Sequence, residues 1–171
     1  MGFEFVILDY IQGLRCEILD SIVPVITSLG NKGYVWIAIA AMMCVSRKYR
    51  KYGIILLAVL TAGLIVGNVC LKNIVMRPRP CWINDSVDML IRMPKDYSFP
   101  SGHTLSSAGA ATVITGADKR MGIAAIILAV MIALTRLYLY VHYPTDIIAG
   151  AFIGFGLGMA GLIIGRKVLG E

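Results

Sequence analysis

The amino-acid sequence predicts an all-α fold, a polytopic bundle of membrane-spanning helices. Of its 171 residues, 58% are hydrophobic and only 15% are charged, a balance typical of a chain that folds in a lipid bilayer. Several stretches contain the roughly 20 mostly apolar residues that a helix needs to cross about 30 Å of hydrocarbon. The sequence has no internal repeat and no low-complexity tract, so residues 1–171 are predicted to form a single domain.

The N-terminal segment, residues 1–30, is predicted to contain an amphipathic helix. Its apolar residues recur at helical spacing, and its charged residues lie mostly off that stripe. The stripe consists of Phe3, Ile7, Tyr10, Ile11, Leu14 and Ile18. A helix lying in the membrane interface is the favoured interpretation, and a sixth span is the alternative. A secretory signal peptide is disfavoured because the segment has no basic n-region.

Five later segments are predicted to span the membrane. Two carry no charged residue, and a third carries only Arg136 near its end. A fourth is rich in small residues, which let helices pack closely inside a bundle. The remaining segment is short and depends on snorkelling by the basic residues that follow it. In chain order, the five are residues 33–45, 52–71, 101–117, 121–141 and 147–165.

Basic residues cluster at one end of these spans. Threading the spans in order places three short clusters on one face, which the positive-inside tendency makes cytoplasmic. The clusters are Arg47, Lys48, Arg50 and Lys51; Lys119 and Arg120; and Arg166 and Lys167. The opposite face also carries basic residues, but many belong to the motifs described next. Those motifs are therefore expected on the extracytoplasmic side of a cell membrane. The net charge of +6 forms no continuous stripe, so no nucleic-acid partner is expected.

The first candidate motif directly follows the uncharged span 52–71. It begins at Lys72 and ends with Arg77-Pro78-Arg79-Pro80. Taken alone, this run could be a basic collar that snorkels at a helix end or a group of phosphate ligands.

The second candidate motif opens a predicted helix. Pro100 precedes it, and Ser101, Gly102 and His103 form its first turn. Helix N-termini bind anions through free backbone amides, so a phosphate placed there would contact these three residues. The plain alternative is an ordinary capped helix with a surface histidine.

The third candidate motif lies at the end of the span 121–141. Arg136 can bind a phosphate through two parallel hydrogen bonds. His142 and Asp146 are four residues apart, so a helical turn starting near Pro144 would bring the carboxylate to one ring nitrogen. The other nitrogen would then be free to attack. An interfacial histidine and a capping aspartate within a belt of tyrosines are the alternative.

The three motifs gain weight in combination. The chain has only two histidines, and both occur in these loops on one expected face. Phosphoryl transfer requires positive charge, amide donors, an in-line nucleophile and an acid opposite to it. These loops offer all four.

Taken together, the motifs resemble those of the type 2 phosphatidic acid phosphatase family. They read Lys72, six residues, Arg79-Pro80; Pro100-Ser101-Gly102-His103; and Thr135-Arg136, five residues, His142, three residues, Asp146. Residues 72–146 carry all three. Thr135 stands where the family usually has serine, and many relatives have six spans.

The resemblance implies a metal-independent lipid phosphatase that needs no cofactor. His142 would attack phosphorus, Asp146 would orient His142, and His103 would protonate the leaving lipid oxygen. The implied phosphate ligands are Lys72, Arg79, Ser101, Gly102 and Arg136, with Arg77 as an auxiliary contact.

The implied substrate is a lipid phosphate taken from the bilayer. Undecaprenyl diphosphate is favoured modestly over phosphatidate and phosphatidylglycerophosphate. Two alternatives remain, namely a phosphotransferase that uses an acceptor alcohol and an inactive protein that only binds lipid phosphates. The sequence leaves the oligomeric state open.

Overall fold

The structure, a computed structural model, describes residues 2–169. Its regular elements are all helical, and no strand occurs within that range, in agreement with the all-α prediction. The helices are α1 (Gly2–Gln12), α2 (Glu17–Leu29), α3 (Tyr34–Val45), α4 (Arg50–Gly63), α5 (Lys72–Val75), α6 (Pro80–Ile83), α7 (Gly102–Ala117), α8 (Lys119–Tyr138) and α9 (Pro144–Leu169). A 3-10 turn, Asn31–Gly33, joins α2 to α3, and a π-helical segment, Leu64–Leu71, joins α4 to α5.

Three stretches within the described range are long and apolar enough to cross a bilayer. They are Arg50–Ile83, Lys119–Tyr138 and Pro144–Leu169. The pair Glu17–Leu29 and Asn31–Val45, bent by 43°, makes a fourth if it crosses as one unit. The expected five spans are thus not confirmed. α3 reaches the required length only together with α2, and the 16 residues of α7 extend about 24 Å.

The bundle is built around α7, which packs on α4, α8 and α9. Its core contains Trp36, Leu56 and Ile132, all with no exposed surface. The Trp36 indole donates a hydrogen bond of 3.0 Å to Ser107 Oγ, which satisfies the one polar atom of that side chain. The outer surface carries large exposed apolar residues such as Phe152, as a bundle surrounded by lipid requires.

The helices α7 and α9 pack with their backbones in contact. A Cβ atom at Gly154 would lie 2.2 Å from the Leu105 carbonyl oxygen, and one at Gly158 would lie 3.0 Å from that of Gly109. Small residues allow such an approach. Because α7 begins at the second motif and α9 begins at the third, this contact sets the separation of the two motifs.

Gly154→Val is expected to force α9 away from α7 and to lower both stability and catalytic rate. Overpacking of this kind costs about 1–3 kcal/mol. Gly156 provides the matched control, because a Cβ atom there would meet nothing within 4 Å. Thermal unfolding in detergent and phosphate release measure the two effects. Equal losses in Gly154→Val and Gly156→Val would contradict the role given to this contact.

The N-terminal segment consists of two helices, interrupted at residues 13–16, where one amphipathic helix was predicted. Part of the predicted stripe faces outward on α1, with Phe3 77% and Tyr10 71% exposed, as a membrane-contacting face would be, whereas Ile11 is half-buried against protein. The opposite face packs on protein, because Leu8 is fully buried against the loop that follows α8. α1 has 11 residues and is too short to be a sixth span.

The end of α8 differs from the predicted span 121–141. The helix stops at Tyr138, and Tyr140 takes a left-handed backbone conformation with φ 57°. This conformation is uncommon for a residue with a side chain. It ends the helical path of the chain, and residues 139–143 form a buried connection that carries His142 to the start of α9 at Pro144.

Candidate active site

The loops at one end of the bundle enclose a cavity of about 780 Å³. Its wall combines the first turn of α7, the end of α4, the 3-10 turn after α2 and the loop residues 91–96. The predicted ionisable residues that line it are Lys72, Arg79, His103, Arg136 and His142. Three motifs that are distant in sequence therefore meet at one cavity.

The buried Asp146 is directed at His142. α9 begins at Pro144, and its first turn places Asp146 Oδ2 3.5 Å from His142 Nδ1. The same oxygen accepts a hydrogen bond of 2.9 Å from the Tyr143 backbone N–H and another from the Ser98 hydroxyl. These donors hold the carboxylate in one orientation.

His142 presents its second ring nitrogen to the cavity. Its Nε2 lies 3.1 Å from Nη1 of Arg79. Burial, together with the guanidinium groups of Arg79 and Arg136, holds the pKa of His142 well below its usual range, so the imidazole is neutral. Because a guanidinium can only donate, Nε2 is the acceptor, and the proton resides on Nδ1 opposite Asp146. Nε2 therefore carries the lone pair that a nucleophile needs.

Three buried cations line the cavity: Lys72, Arg79 and Arg136 are 5%, 2% and 4% exposed. Lys72 and Arg79 both pair with the carboxylate of Asp96. Arg136 donates to Thr27 Oγ1 at 2.5 Å, and its buried Nε has no hydrogen-bond partner among residues 2–169. One carboxylate faces three cations, so the cavity wall is net positive and suited to an anion.

The N-terminus of α7 differs from the expectation in one respect. The Ser101 backbone N–H donates to the Asp146 carbonyl oxygen at 3.2 Å, and its hydroxyl accepts a hydrogen bond from Thr104. Ser101 is not among the residues that line the cavity, whereas Gly102 and His103 are. Ser101 thus ties α7 to α9, and the next two residues stand at the cavity as the helix start requires for anion contact.

His103 reaches from the first turn of α7 to the 3-10 turn. Its Nε2 lies 3.1 Å from Asn31 Oδ1. With an amide oxygen as the acceptor, Nε2 is the protonated nitrogen. Gly30 backs the ring, since a Cβ atom there would lie 2.7 Å from His103 Cδ2. The ring is therefore held as a proton donor at the cavity wall.

Arg77, expected as an auxiliary phosphate contact, has its partners among residues of the protein itself. Its guanidinium donates to Asp146 Oδ1 and Thr145 Oγ1, both at 2.7 Å. It also pairs with Glu4 of α1 at 2.5 Å and lies 3.8 Å over the Tyr143 ring. Arg77 is not among the residues that line the cavity. It supports the carboxylate of Asp146 and ties α1 to the site.

The motifs did not indicate several residues that the structure places at the site. They are Glu4, Thr27, Asn31, Asp96 and Ser98. Asp96 and Ser98 lie just before the second motif, so proximity in sequence could have drawn attention to them. Glu4 and Thr27 belong to the N-terminal segment, whose only sequence signal is amphipathicity, and Asn31 lies in the 3-10 turn that follows it.

A net positive cavity beside a neutral, carboxylate-supported imidazole is suited to phosphoryl transfer. In an apolar helical bundle, these features define a membrane phosphatase. The profile of the PAP2 superfamily matches residues 51–168. The chain belongs to the PAP2 superfamily.

Comparisons over nearly the whole chain agree with this assignment. An undecaprenyl-diphosphatase of Sulfolobus acidocaldarius is 33% identical over 155 residues, 90% of this chain and 74% of the relative. The undecaprenyl-diphosphatase BcrC of Bacillus subtilis is 28% identical over 162 residues, 92% of this chain and 81% of the relative. The crystal structure of a PAP2-type phosphatidylglycerolphosphate phosphatase from Bacillus subtilis aligns with a TM-score of 0.81 and 25% identity, over 98% of this chain and 86% of that chain.

Proposed function

We propose that this protein hydrolyses the phosphate or diphosphate group of a membrane lipid through a phosphohistidine at His142. One observation carries the proposal. The neutral His142 ring has Nδ1 at the buried Asp146 and Nε2 toward a cavity lined by buried cations. This is the arrangement of an activated nucleophile beside an anion site.

The first chemical step forms the phosphoenzyme. The lone pair of His142 Nε2 attacks the terminal phosphorus, and an N–P bond forms as the P–O bond to the lipid breaks. Lys72, Arg79 and Arg136 stabilise the charge on the equatorial oxygens. The electron pair of the broken bond passes to the leaving oxygen, which takes a proton from His103; the bound phosphate anion favours the imidazolium form of His103, and the transfer leaves that ring neutral. Asp146 stabilises the positive charge that develops on the His142 ring.

The second step releases phosphate. His103, now lacking its proton, accepts a proton from a water molecule as that water attacks phosphorus. An O–P bond forms, the N–P bond breaks, and His142 returns to the neutral state with its proton on Nδ1. Both histidines are then ready for another cycle.

The shape of the cavity supports a lipid substrate. Besides the charged residues, it is lined by Leu60 and Gly63 of α4 and by Leu64, the first residue of the π-helical segment. These residues lie within the candidate span Arg50–Ile83, so an apolar chain could extend along α4 while its phosphate reaches His142. The 33% identity to an undecaprenyl-diphosphatase favours undecaprenyl diphosphate as the substrate. Phosphatidylglycerophosphate, the substrate named for the structural relative, and phosphatidate come next.

The proposed arrangement in the membrane has the site on the extracytoplasmic face. α8 starts at Lys119 and ends near the site, whereas α9 starts at the site and ends near Arg166 and Lys167. The basic helix ends therefore lie opposite the cavity, and the positive-inside tendency makes them cytoplasmic. In this arrangement, α7 crosses most of the bilayer enclosed by α4, α8 and α9, and with the bent α2–α3 pair it completes five spans.

Phosphate release from detergent-purified protein is expected to be unaffected by EDTA. The reason is that buried cations of the chain itself supply the positive charge that a metal ion would provide. Orthovanadate, which adopts the five-coordinate geometry of the transition state, is expected to inhibit competitively. The substrates to compare are undecaprenyl diphosphate, phosphatidate, phosphatidylglycerophosphate and a soluble phosphate ester. We expect the highest kcat/KM for undecaprenyl diphosphate.

Loss of activity in EDTA, restored by an added divalent metal, would contradict metal-independent chemistry. Two other outcomes would favour the alternative functions. Transfer of labelled phosphate to an added alcohol, with no release to water, would indicate a phosphotransferase. Binding of lipid phosphates with neither release nor transfer would indicate an inactive relative.

A further inference from the structure

A carboxylate of the protein itself occupies the cationic part of the cavity. Asp96 lies in the loop before the second motif and lines the cavity, and its side chain is 56% exposed. Its Oδ2 accepts a hydrogen bond from the Lys72 ammonium, and its Oδ1 lies 2.9 Å from Arg79 Nη2. Burial alone would raise the pKa of Asp96, but the bond from Lys72 and the charge of Arg79 lower it to about 2. The group is therefore an anion at neutral pH.

The donors of Arg79 are fully committed in this arrangement. A guanidinium has five N–H donors. Nε donates to the Asp96 carbonyl oxygen at 2.7 Å, and Nη2 donates to Asp96 Oδ1 and to the Tyr97 carbonyl oxygen. Nη1 donates to the Val141 carbonyl oxygen at 2.7 Å and faces His142 Nε2 at 3.1 Å. A phosphate can gain a hydrogen bond from Arg79 only by replacing one of these acceptors.

Two of these five acceptors can be replaced without disturbing the fold. Three are backbone carbonyl oxygens, and a buried carbonyl that loses its donor costs free energy. The other two are His142 Nε2, which must turn to phosphorus in any case, and the carboxylate of Asp96. The backbone of Asp96 stays anchored by Arg79 Nε, so rotation of its half-exposed side chain is sufficient to free the donor.

We propose that Asp96 is an internal competitor for the phosphate site, and that a lipid phosphate binds by displacing its carboxylate from Lys72 and Arg79. The proposal rests on the proposed function, since it assumes that these two cations bind the substrate phosphate. Return of Asp96 to the cations after hydrolysis then favours release of inorganic phosphate, a step that limits turnover in many enzymes. Asp96 acts as a positioning residue and takes no part in bond making.

The test is Asp96→Asn, which removes the charge and keeps the shape of the side chain. The KM for the lipid substrate and the inhibition constant of inorganic phosphate are each expected to fall about ten-fold, as removal of two charge-assisted contacts from a competitor predicts. kcat is expected to stay the same or to fall, because product leaves more slowly. A residue that merely braced Lys72 and Arg79 would give the opposite sign, with KM and the inhibition constant both raised.

Two variants control for charge. Asp85→Asn removes a charge from an exposed residue of the same loop that is not among the residues lining the cavity, and it should leave both constants at the wild-type value. Asp96→Glu keeps a competing carboxylate and should stay closer to wild type than Asp96→Asn. Unchanged or raised constants in Asp96→Asn, or the same fall in Asp85→Asn, would overturn the proposal.

A binding measurement separates this proposal from the proposed function. Inorganic phosphate should raise the thermal unfolding temperature of Asp96→Asn at lower concentrations than it does for the wild type. Failure of the wild type to hydrolyse any lipid phosphate would refute the proposed function, yet this comparison would still decide the role of Asp96. Asp96→Ser serves as a second neutral variant if Asp96→Asn does not fold.

Discussion

Replacing His142 by alanine is expected to abolish turnover while phosphate binding persists. The substitution removes the ring nitrogen that lies beside Arg79 and leaves the three cations in place. Loss of a covalent nucleophile typically lowers kcat by a factor of about 10⁴ or more. Phosphate release measures the rate, and protection of the protein by inorganic phosphate against thermal unfolding measures binding.

The second histidine of the chain offers the matched comparison. His103→Ala keeps the nucleophile, so an ester with a leaving group that needs no proton, such as p-nitrophenyl phosphate, should still transfer a labelled phosphoryl group to the protein. His142→Ala should show no labelled protein with any substrate. A phosphoenzyme in His142→Ala, or turnover that survives while binding is lost, would remove His142 from the role of nucleophile.

The helical class of the fold was predictable because it depends on local properties of the chain. Long apolar runs must satisfy their backbone hydrogen bonds internally within a bilayer, and a helix does so within one segment. The predicted spans 121–141 and 147–165 therefore lie close to α8 and α9. The end of α8 was less predictable, because residues 139–141 are apolar and yet leave the helix at a left-handed Tyr140.

The N-terminal segment shows where a periodic pattern is insufficient. Amphipathicity indicates that one face of a helix is apolar, but it does not indicate whether lipid or protein covers that face. On α1, the exposed stripe contains Phe3 and Tyr10, while Glu4 on the other face pairs with Arg77. That ion pair joins residues 73 positions apart, and no local pattern contains such information.

The motifs predicted which charged residues line the cavity, but they did not predict which residues of the protein these side chains contact. Lys72, Arg79, His103, Arg136 and His142 line it as expected. Arg77 and Arg79 are each followed directly by a proline. In the sequence, only the spacing from Lys72 distinguishes them. The structure separates them completely, since Arg79 faces the cavity and Arg77 supports Asp146.

Replacing Asp146 by asparagine is expected to leave the fold intact and to lower kcat by a factor of about 10³–10⁴, by analogy with the carboxylate that orients histidine in serine proteases. The carboxylate is fully buried and accepts hydrogen bonds from Ser98, Tyr143 and Arg77. An asparagine amide has only one accepting oxygen, so it cannot accept the hydrogen bonds that now end on both Oδ1 and Oδ2. It also carries no charge to stabilise the His142 ring when that ring becomes positive. The effect should appear in kcat, because no atom of Asp146 lines the cavity.

Asp118→Asn provides the matched control for this change. Asp118 also stands at the start of a helix and accepts hydrogen bonds from the Arg120 and Met121 backbone amides, but at the end of the bundle away from the site. Its replacement keeps an oxygen that can cap the helix and removes only a negative charge at the helix N-terminus, so it should cost at most about 1 kcal/mol of stability and leave kcat unchanged. Measuring kcat and thermal unfolding for both variants therefore separates two effects. A fall in kcat that is specific to Asp146→Asn reports lost support for His142, and a change in unfolding temperature reports the general effect of removing a carboxylate. A wild-type kcat in Asp146→Asn would mean that the His142 ring is oriented by Ser98 and Arg79 alone.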